Sequence, residues 1–150
     1  MIAEFTLALR GYESHPETIG DFLQLAARVD CRGFSGETWF QMSRRDLDRF
    51  VSEASALHAG APEAVNFVGG WDDREERMRV RLARAGISGG FAARVRIANT
   101  GPRTDQWHHV ETDFVCPAPA LARFLAELQR LVESRIAGTA TLSGDAEAIA

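Results

Sequence analysis

Apolar and polar residues alternate along much of this chain, and alternation with a period of two is typical of half-buried β-strands. In the first ten residues, Phe5, Leu7 and Leu9 share one side, while Glu4 and Arg10 lie on the other. We predict strands wherever this pattern occurs, in residues 1–10, 22–29, 37–42, 65–68, 78–83, 91–98 and 107–116.

Two stretches place their apolar residues at helical spacing instead. Ser43 is a candidate helix N-cap, and Asp46 three residues later resembles a short capping box, so we predict a first helix over residues 44–58. A second helix is predicted over residues 119–135, because a helix tolerates proline in its first turn. The apolar stripes are Leu47, Phe50, Val51, Ala54 and Leu57 in the first helix and Leu121, Phe124, Leu125, Leu128, Leu131 and Val132 in the second.

Each helix and the strand before it belong to an internal repeat with an offset of 74 residues. Matching apolar positions would follow from any strand that leads into an amphipathic helix. Matching arginine and glutamate positions are harder to explain that way, and they favour duplication of a strand-strand-helix unit. The identical pairs are Thr38/Thr112, Phe40/Phe114, Leu47/Leu121, Arg49/Arg123, Phe50/Phe124, Glu53/Glu127 and Leu57/Leu131.

This order of elements predicts an α+β fold with a single antiparallel sheet and both helices packed on one face. We expect Phe40, Phe50, Phe114 and Phe124 to be buried between the sheet and the helices. Residues 1–136 are predicted to form one domain. Residues 137–150 are small, polar and acidic, and are predicted to be a disordered tail.

Composition narrows the classes of function. The formal net charge is −4, which argues against a general nucleic-acid binder, although all 17 basic residues are arginine. The two cysteines, Cys31 and Cys116, form no CxxC motif and are expected to be small buried residues. The first ten residues lack a basic leader and carry a glutamate, so we expect no membrane segment and a cytoplasmic location.

The last predicted strand carries a candidate metal site. His109, Glu111 and Asp113 follow one another at every second position and therefore share one strand face, whereas His108 points to the side of Phe114. Such a row can hold a divalent metal, but a solvated strand face is the favoured interpretation. With no further ligand and no catalytic base in a recognisable motif, we predict a protein that is not an enzyme and needs no cofactor.

The predicted hairpin of residues 78–98 concentrates positive charge. If Val80 pairs with Val95, Arg79 lies opposite Arg96 and Arg81 opposite Arg94 on the outer face. Like charges directly opposite one another are destabilising. Compensation is expected either from Glu111 and Asp113 on a nearby strand or from an external anionic partner.

Three tryptophans, Trp39, Trp71 and Trp107, lie at strand ends or turns, where they either pack against the core or anchor a partner. Trp71 and Trp107 are the candidates nearest to the arginines in the predicted order of elements. A rival, acidic surface is formed by Asp72, Asp73, Glu75 and Glu76.

The order of elements carries a family resemblance. A strand beginning at residues 20–25, the strand of residues 38–42 before the first helix, and Thr112–Asp113–Phe114 before the closing helix are arranged in a similar way to the WapI-type bacterial immunity proteins and their relatives. The resemblance covers residues 1–135 and implies a binding protein that neutralises a toxin. It transfers no functional residue and leaves the partner and the oligomeric state open. The alternative is a domain that binds a small ligand or metal, or a weak enzyme.

Overall fold

The computed structural model describes residues 1–15, 20–60, 63–70, 75–86, 89–100 and 107–146. These residues form eight strands and two helices in the order βββαββββαβ. The strands are β1 (Ile2–His15), β2 (Gly20–Cys31), β3 (Phe34–Ser43), β4 (Ala64–Gly70), β5 (Glu76–Arg84), β6 (Phe91–Thr100), β7 (Trp107–Cys116) and β8 (Gly138–Asp145). The helices are α1 (Arg44–Ala59) and α2 (Ala118–Ser134).

All eight strands belong to one antiparallel sheet in the order β3-β2-β1-β8-β7-β6-β5-β4. The predicted α+β class, with a single antiparallel sheet and two helices, is therefore confirmed. The order of three strands, one helix and one further strand occurs twice along the chain, as β1 to β4 with α1 and as β5 to β8 with α2. Gly138, the first residue of β8, lies 74 residues after Ala64, the first residue of β4. This spacing equals the offset of the sequence repeat, but a duplicated strand-strand-helix unit stays a prediction.

The predicted tail is corrected by β8. Gly138–Asp145 pairs along the full length of its strand with β1, from Leu9↔Gly138 to Ile2↔Asp145. Ala140 and Leu142 are fully buried, and the Glu127 carboxylate of α2 accepts a hydrogen bond from the Thr141 backbone N–H at 3.2 Å. The ordered domain thus extends beyond residue 136. Within the predicted tail, only residues 147–150 lie outside the described part of the chain.

The sheet bends so that its two halves face each other. Edge strand β3 is paired with β2, and it also contacts β4, β5, β6 and β7 from the other half. A Cβ atom added to Gly69 of β4 would overlap the Phe40 ring of β3, so the close approach at this crossing requires glycine. The bend encloses the core between the halves and leaves the opposite side of each half facing outward.

Both helices pack on the core side of the sheet and contact each other. The Phe124 ring of α2 lies 6.0 Å from the Phe5 ring of β1, and the Phe50 ring of α1 stacks on the Phe67 ring of β4 at 4.1 Å. Ser43 caps α1, as expected, because its Oγ accepts a hydrogen bond from the Asp46 N–H at 3.1 Å. The four phenylalanines predicted to be buried, Phe40, Phe50, Phe114 and Phe124, are each at most 2% exposed.

The strands are longer than the apolar pattern indicated. A loop was expected from Tyr12 to Gly20, but β1 continues to His15 and β2 begins at Gly20. Likewise, Gly69 and Gly70, expected in a turn, end β4. Backbone hydrogen bonds extend a ladder past the last buried side chain, and the period-two pattern does not record them.

Polar side chains connect β1 and β2 near the end of β1 and the start of β2. The Tyr12 hydroxyl and the Ser14 hydroxyl donate hydrogen bonds to the two carboxylate oxygens of Asp21, at 2.5 Å and 2.9 Å. Arg44 Nη1 donates to the Tyr12 hydroxyl at 3.1 Å, and the Arg135 guanidinium lies 4.7 Å above the Tyr12 ring. The hydrogen bonds from Tyr12 and Ser14, followed by the charges of Arg135 and Arg44, lower the pKa of Asp21 below its usual value near 3.8.

This lowered pKa predicts a dependence of stability on acid. A carboxyl group whose pKa is lower in the folded state stabilises the fold above about pH 4, and that contribution is lost as the pH falls through the folded-state pKa. We expect Asp21→Asn to lower the unfolding free energy near neutral pH and to flatten its decline below pH 4, as measured by urea denaturation across a pH series. Glu133→Gln, at an exposed carboxylate with no ion pair among the described residues, is the control. A decline as steep in Asp21→Asn as in the wild type would contradict the prediction.

Candidate functional site

The outward side of β5 and β6 carries the arginine cluster that the hairpin pattern predicted. Val80 pairs with Val95, which sets Arg79 directly opposite Arg96 and Arg81 opposite Arg94. Arg79, Arg81 and Arg94 are exposed and Arg96 is half-buried, so the helices leave this side of the sheet uncovered. We call the surface formed by these four residues, with Glu111 and Asp113 of β7, the arginine face.

Carboxylates within the chain compensate part of this charge. Arg94 Nε lies 2.8 Å from Asp113 Oδ1, Arg79 Nε lies 2.7 Å from Glu76 Oε1, and Arg96 Nη1 lies 3.8 Å from the same Glu76 oxygen. The hydrogen bond from Arg79, reinforced by the charges of Arg79 and Arg96, lowers the pKa of Glu76. Arg81 is different, because no carboxylate of the described residues pairs with it. Among the described residues, internal compensation is therefore present but incomplete.

A groove crosses the arginine face where the two halves of the sheet meet. Its volume is about 660 Å³, within the range of about 300–1,000 Å³ for small-ligand sites. Arg81, Arg94 and Arg32 supply positive charge to its lining, and Glu111 and Asp113 supply negative charge. Arg32, at the β2–β3 turn with a positive φ of 53°, is held by a hydrogen bond from its Nη2 to the Ala146 carbonyl.

The proposed metal row does share one strand face. His109 pairs with Ala98, Glu111 with Arg96 and Asp113 with Arg94, so both carboxylates point toward guanidinium groups. Within the described residues there is no group of three His, Cys, Asp or Glu side chains that could hold a metal ion. His108 is exposed although it shares the strand side of Phe114, because the buried part of β7 begins further along the strand.

The structure describes only part of the predicted tryptophan anchors. Trp71, with Asp72 and Asp73 of the rival acidic surface, lies outside the described residues. Trp107 is the first residue of β7, directly before His108, and its backbone pairs with that of Thr100. Trp39 is the tryptophan whose side chain the structure describes, and it is 59% exposed on the outward side of β3.

A second groove lies beside Trp39, on the outward side of the other half of the sheet. It has a volume of about 340 Å³ and is lined by Arg10, Gln24, Leu25, Ala26, Glu37, Trp39 and Phe40. We call it the tryptophan groove. The sequence showed Trp39 at a strand end but not the groove, because Ala26 and Trp39 become neighbours only through the β2–β3 register.

Neither helix described by the structure is long and apolar enough to cross a membrane. No protein-family model matches the chain, and no curated protein matches it. Among solved structures, the chain is similar to that of WHY1 from Arabidopsis thaliana, with 15% sequence identity over 91% of this chain and 81% of that chain and a TM-score of 0.46.

These comparisons correct two predictions. No comparison brings up an immunity protein, and the similar solved structure is that of a nucleic-acid-binding protein, so the toxin-neutralising function and the exclusion of nucleic acid as a partner are both withdrawn. The exclusion of nucleic acid was wrong in its physical reason: it rested on net charge, which averages over the whole surface and conceals a local cluster such as the arginine face. A TM-score of 0.46 at 15% identity carries no argument about the activity of this chain, which has to be inferred from its own residues.

Proposed function

We propose that this protein binds single-stranded nucleic acid along the arginine face. The observation that supports the proposal is the pairing of Arg79 with Arg96 and of Arg81 with Arg94 on an uncovered side of the sheet. Two like charges directly opposite each other destabilise a sheet. A bound phosphodiester chain would supply the negative charge that this surface lacks, above all beside Arg81.

The arginine rows suit the phosphates of a nucleic-acid backbone. Arg79 and Arg81 lie two residues apart on β5, which separates them by about 6.8 Å along an antiparallel strand. A single strand is proposed rather than a duplex because its bases are free to stack on flat side-chain groups, whereas the bases of a duplex stack on one another. Arginine also contributes the planar guanidinium that pairs with phosphate and stacks on bases.

The net charge of −4 limits the proposed affinity rather than excluding it. Phosphate contacts act over short range, because the Debye length is about 8 Å at physiological ionic strength. The arginine face would then act as a local site within an acidic protein. Its binding should weaken steeply as salt rises, since each neutralised phosphate releases counterions.

The direct test measures binding of a fluorescently labelled oligodeoxythymidine of about 20 nucleotides by anisotropy over a range of salt concentrations. If one phosphate contact is lost, we expect Arg81→Gln to weaken binding by about fivefold to tenfold near 50 mM salt and to reduce the salt slope by about 0.7. Arg81 suits this test because no ion pair within the described residues is broken by its replacement.

The matched control is Arg123→Gln, which removes an arginine that is also exposed, on α2 and away from the arginine face. It should bind as the wild type does. Absence of measurable binding by the wild-type chain at low salt would refute the proposal. Equal weakening by Arg81→Gln and Arg123→Gln would reduce the effect to overall charge and refute the assignment to this face.

The proposed role is binding without catalysis in the cytoplasm. Its support is that both cysteines are buried free thiols. Burial raises the pKa of Cys116 to about 11, which keeps this thiol protonated at neutral pH and unsuited to nucleophilic attack. Unpaired thiols are typical of a reducing compartment.

A further inference from the structure

We infer that the tryptophan groove binds a nucleobase stacked on Trp39; the choice of this ligand rests on the proposed binding of nucleic acid. The groove lies on the half of the sheet built from β1, β2 and β3, whereas the arginine face lies on β5, β6 and β7. It is therefore a separate surface whose residues can be tested independently.

The sheet register creates the hollow. On the outward side, Trp39 lies opposite Ala26, Ala26 opposite Ala8, and Ala8 opposite Thr139. One large aromatic side chain is thus followed by a row of small ones. Of this row, Ala26 and Trp39 line the groove, with the small Ala26 side chain at its floor and the Trp39 ring beside it. A volume of about 340 Å³ is near the lower end for ligand pockets and fits one planar ring system.

Contacts behind Trp39 hold its ring in place. The Arg77 guanidinium lies 5.7 Å from the centroid of the ring, within the range of a cation–π contact. Arg77 Nη1 also donates a hydrogen bond to Asn99 Oδ1 at 3.3 Å, and Asn99 Nδ2 donates to the Glu37 carbonyl at 3.4 Å. These contacts connect the tryptophan to β5 and β6, so an exposed ring is positioned before any ligand arrives.

The polar rim of the groove distinguishes a base from a phosphate. Arg10 contributes one positive charge and Glu37 one negative charge, so the rim has no net charge to attract an anion. Arg28 Nη1 holds the Glu37 carboxylate at 3.4 Å, and Gln24 Nε2 donates a hydrogen bond to Glu13 Oε1 at 2.9 Å. Arginine, glutamine and glutamate together offer donors and acceptors to the edge of a ring. An uncharged heteroaromatic ring with a mixed edge, as in a nucleobase, complements this set.

The first test uses adenosine, which has no phosphate and therefore does not depend on the arginine face. Titration of the full chain up to about 10 mM adenosine is followed through the indole N–H resonance of Trp39, assigned by its loss in Trp39→Phe. We expect a saturable shift with a dissociation constant in the millimolar range, as a single stacked base provides. No saturable shift of this resonance would overturn the inference.

The matched variant Ala26→Leu keeps Trp39 and fills the floor of the groove. We expect it to abolish the adenosine shift while the backbone amide resonances stay dispersed, which shows that the protein is still folded. Ala122→Leu, a similar enlargement at an exposed position of α2, should leave the shift unchanged. An unaltered shift in Ala26→Leu would place the adenosine elsewhere and overturn the assignment.

The second test separates the groove from the arginine face by comparing an oligodeoxythymidine with an abasic chain of the same length. We expect Trp39→Ala to weaken binding of the first by roughly 5- to 150-fold and to leave the second unchanged, whereas Arg81→Gln should weaken both. Adenosine binding without oligonucleotide binding would support the groove and refute the proposed function. Oligonucleotide binding that is insensitive to Trp39→Ala would refute the groove alone.

Discussion

The Phe124→Ala variant is expected to lose about 3–5 kcal/mol of unfolding free energy, measured by urea or guanidinium denaturation. Phe124 is fully buried on α2, and its ring lies 6.0 Å from the ring of Phe5 on β1. Replacement by alanine removes apolar surface from the core and leaves a cavity between helix and sheet. The loss includes both the transfer term and the cavity term, because a packed core relaxes only partly around such a gap.

The same substitution at Phe34 provides a matched control. Phe34 begins β3 and is 71% exposed, so Phe34→Ala removes the same atoms from a site that buries few of them. We expect Phe34→Ala to change the unfolding free energy by less than about 0.5 kcal/mol, as is usual for surface substitutions. Similar losses in the two variants would show that Phe124 does not occupy the core position described above.

The arginine face could be predicted in detail from the sequence, because strand alternation and a short hairpin connection both apply to β5 and β6. Alternation along β5 and β6 assigns every second residue to one face, and the hairpin between them determines which residues lie opposite. The pairing of Val80 with Val95 then follows, and with it the opposition of the arginines. Compensation was harder to predict, since Glu76 reaches Arg79 and Arg96 from a position expected to belong to a separate acidic surface.

The bend of the sheet and the tryptophan groove could not be predicted in the same way. Both depend on contacts between strands distant in the chain, such as the crossing of Phe40 over Gly69. The outward row of Trp39, Ala26 and Ala8 exists only after three strands are aligned. A period of two identifies which residues share a face within a strand, but it does not show where a large side chain will stand beside small ones.

Strand β8 was missed for a compositional reason. Gly138–Asp145 contains two fully buried side chains, Ala140 and Leu142, among glycine, threonine and serine residues. Because it contains so few apolar residues, this segment resembles a disordered one in composition. Its order comes from outside the segment, because it pairs with β1 along its length and its Thr141 N–H bonds to Glu127 of α2.

The Leu142→Ala variant is therefore expected to lose about 2–5 kcal/mol of unfolding free energy. Leu142 is fully buried and lies opposite Phe5 in the register of β1 and β8, so its truncation opens a cavity under the centre of the sheet. Thr139→Ala, at an exposed position of the same strand, should cost less than about 1 kcal/mol. Both values come from denaturation of the full chain at one pH and temperature. If residues 137–150 formed a disordered tail, neither substitution would alter stability, so a neutral Leu142→Ala variant would remove β8 from the fold.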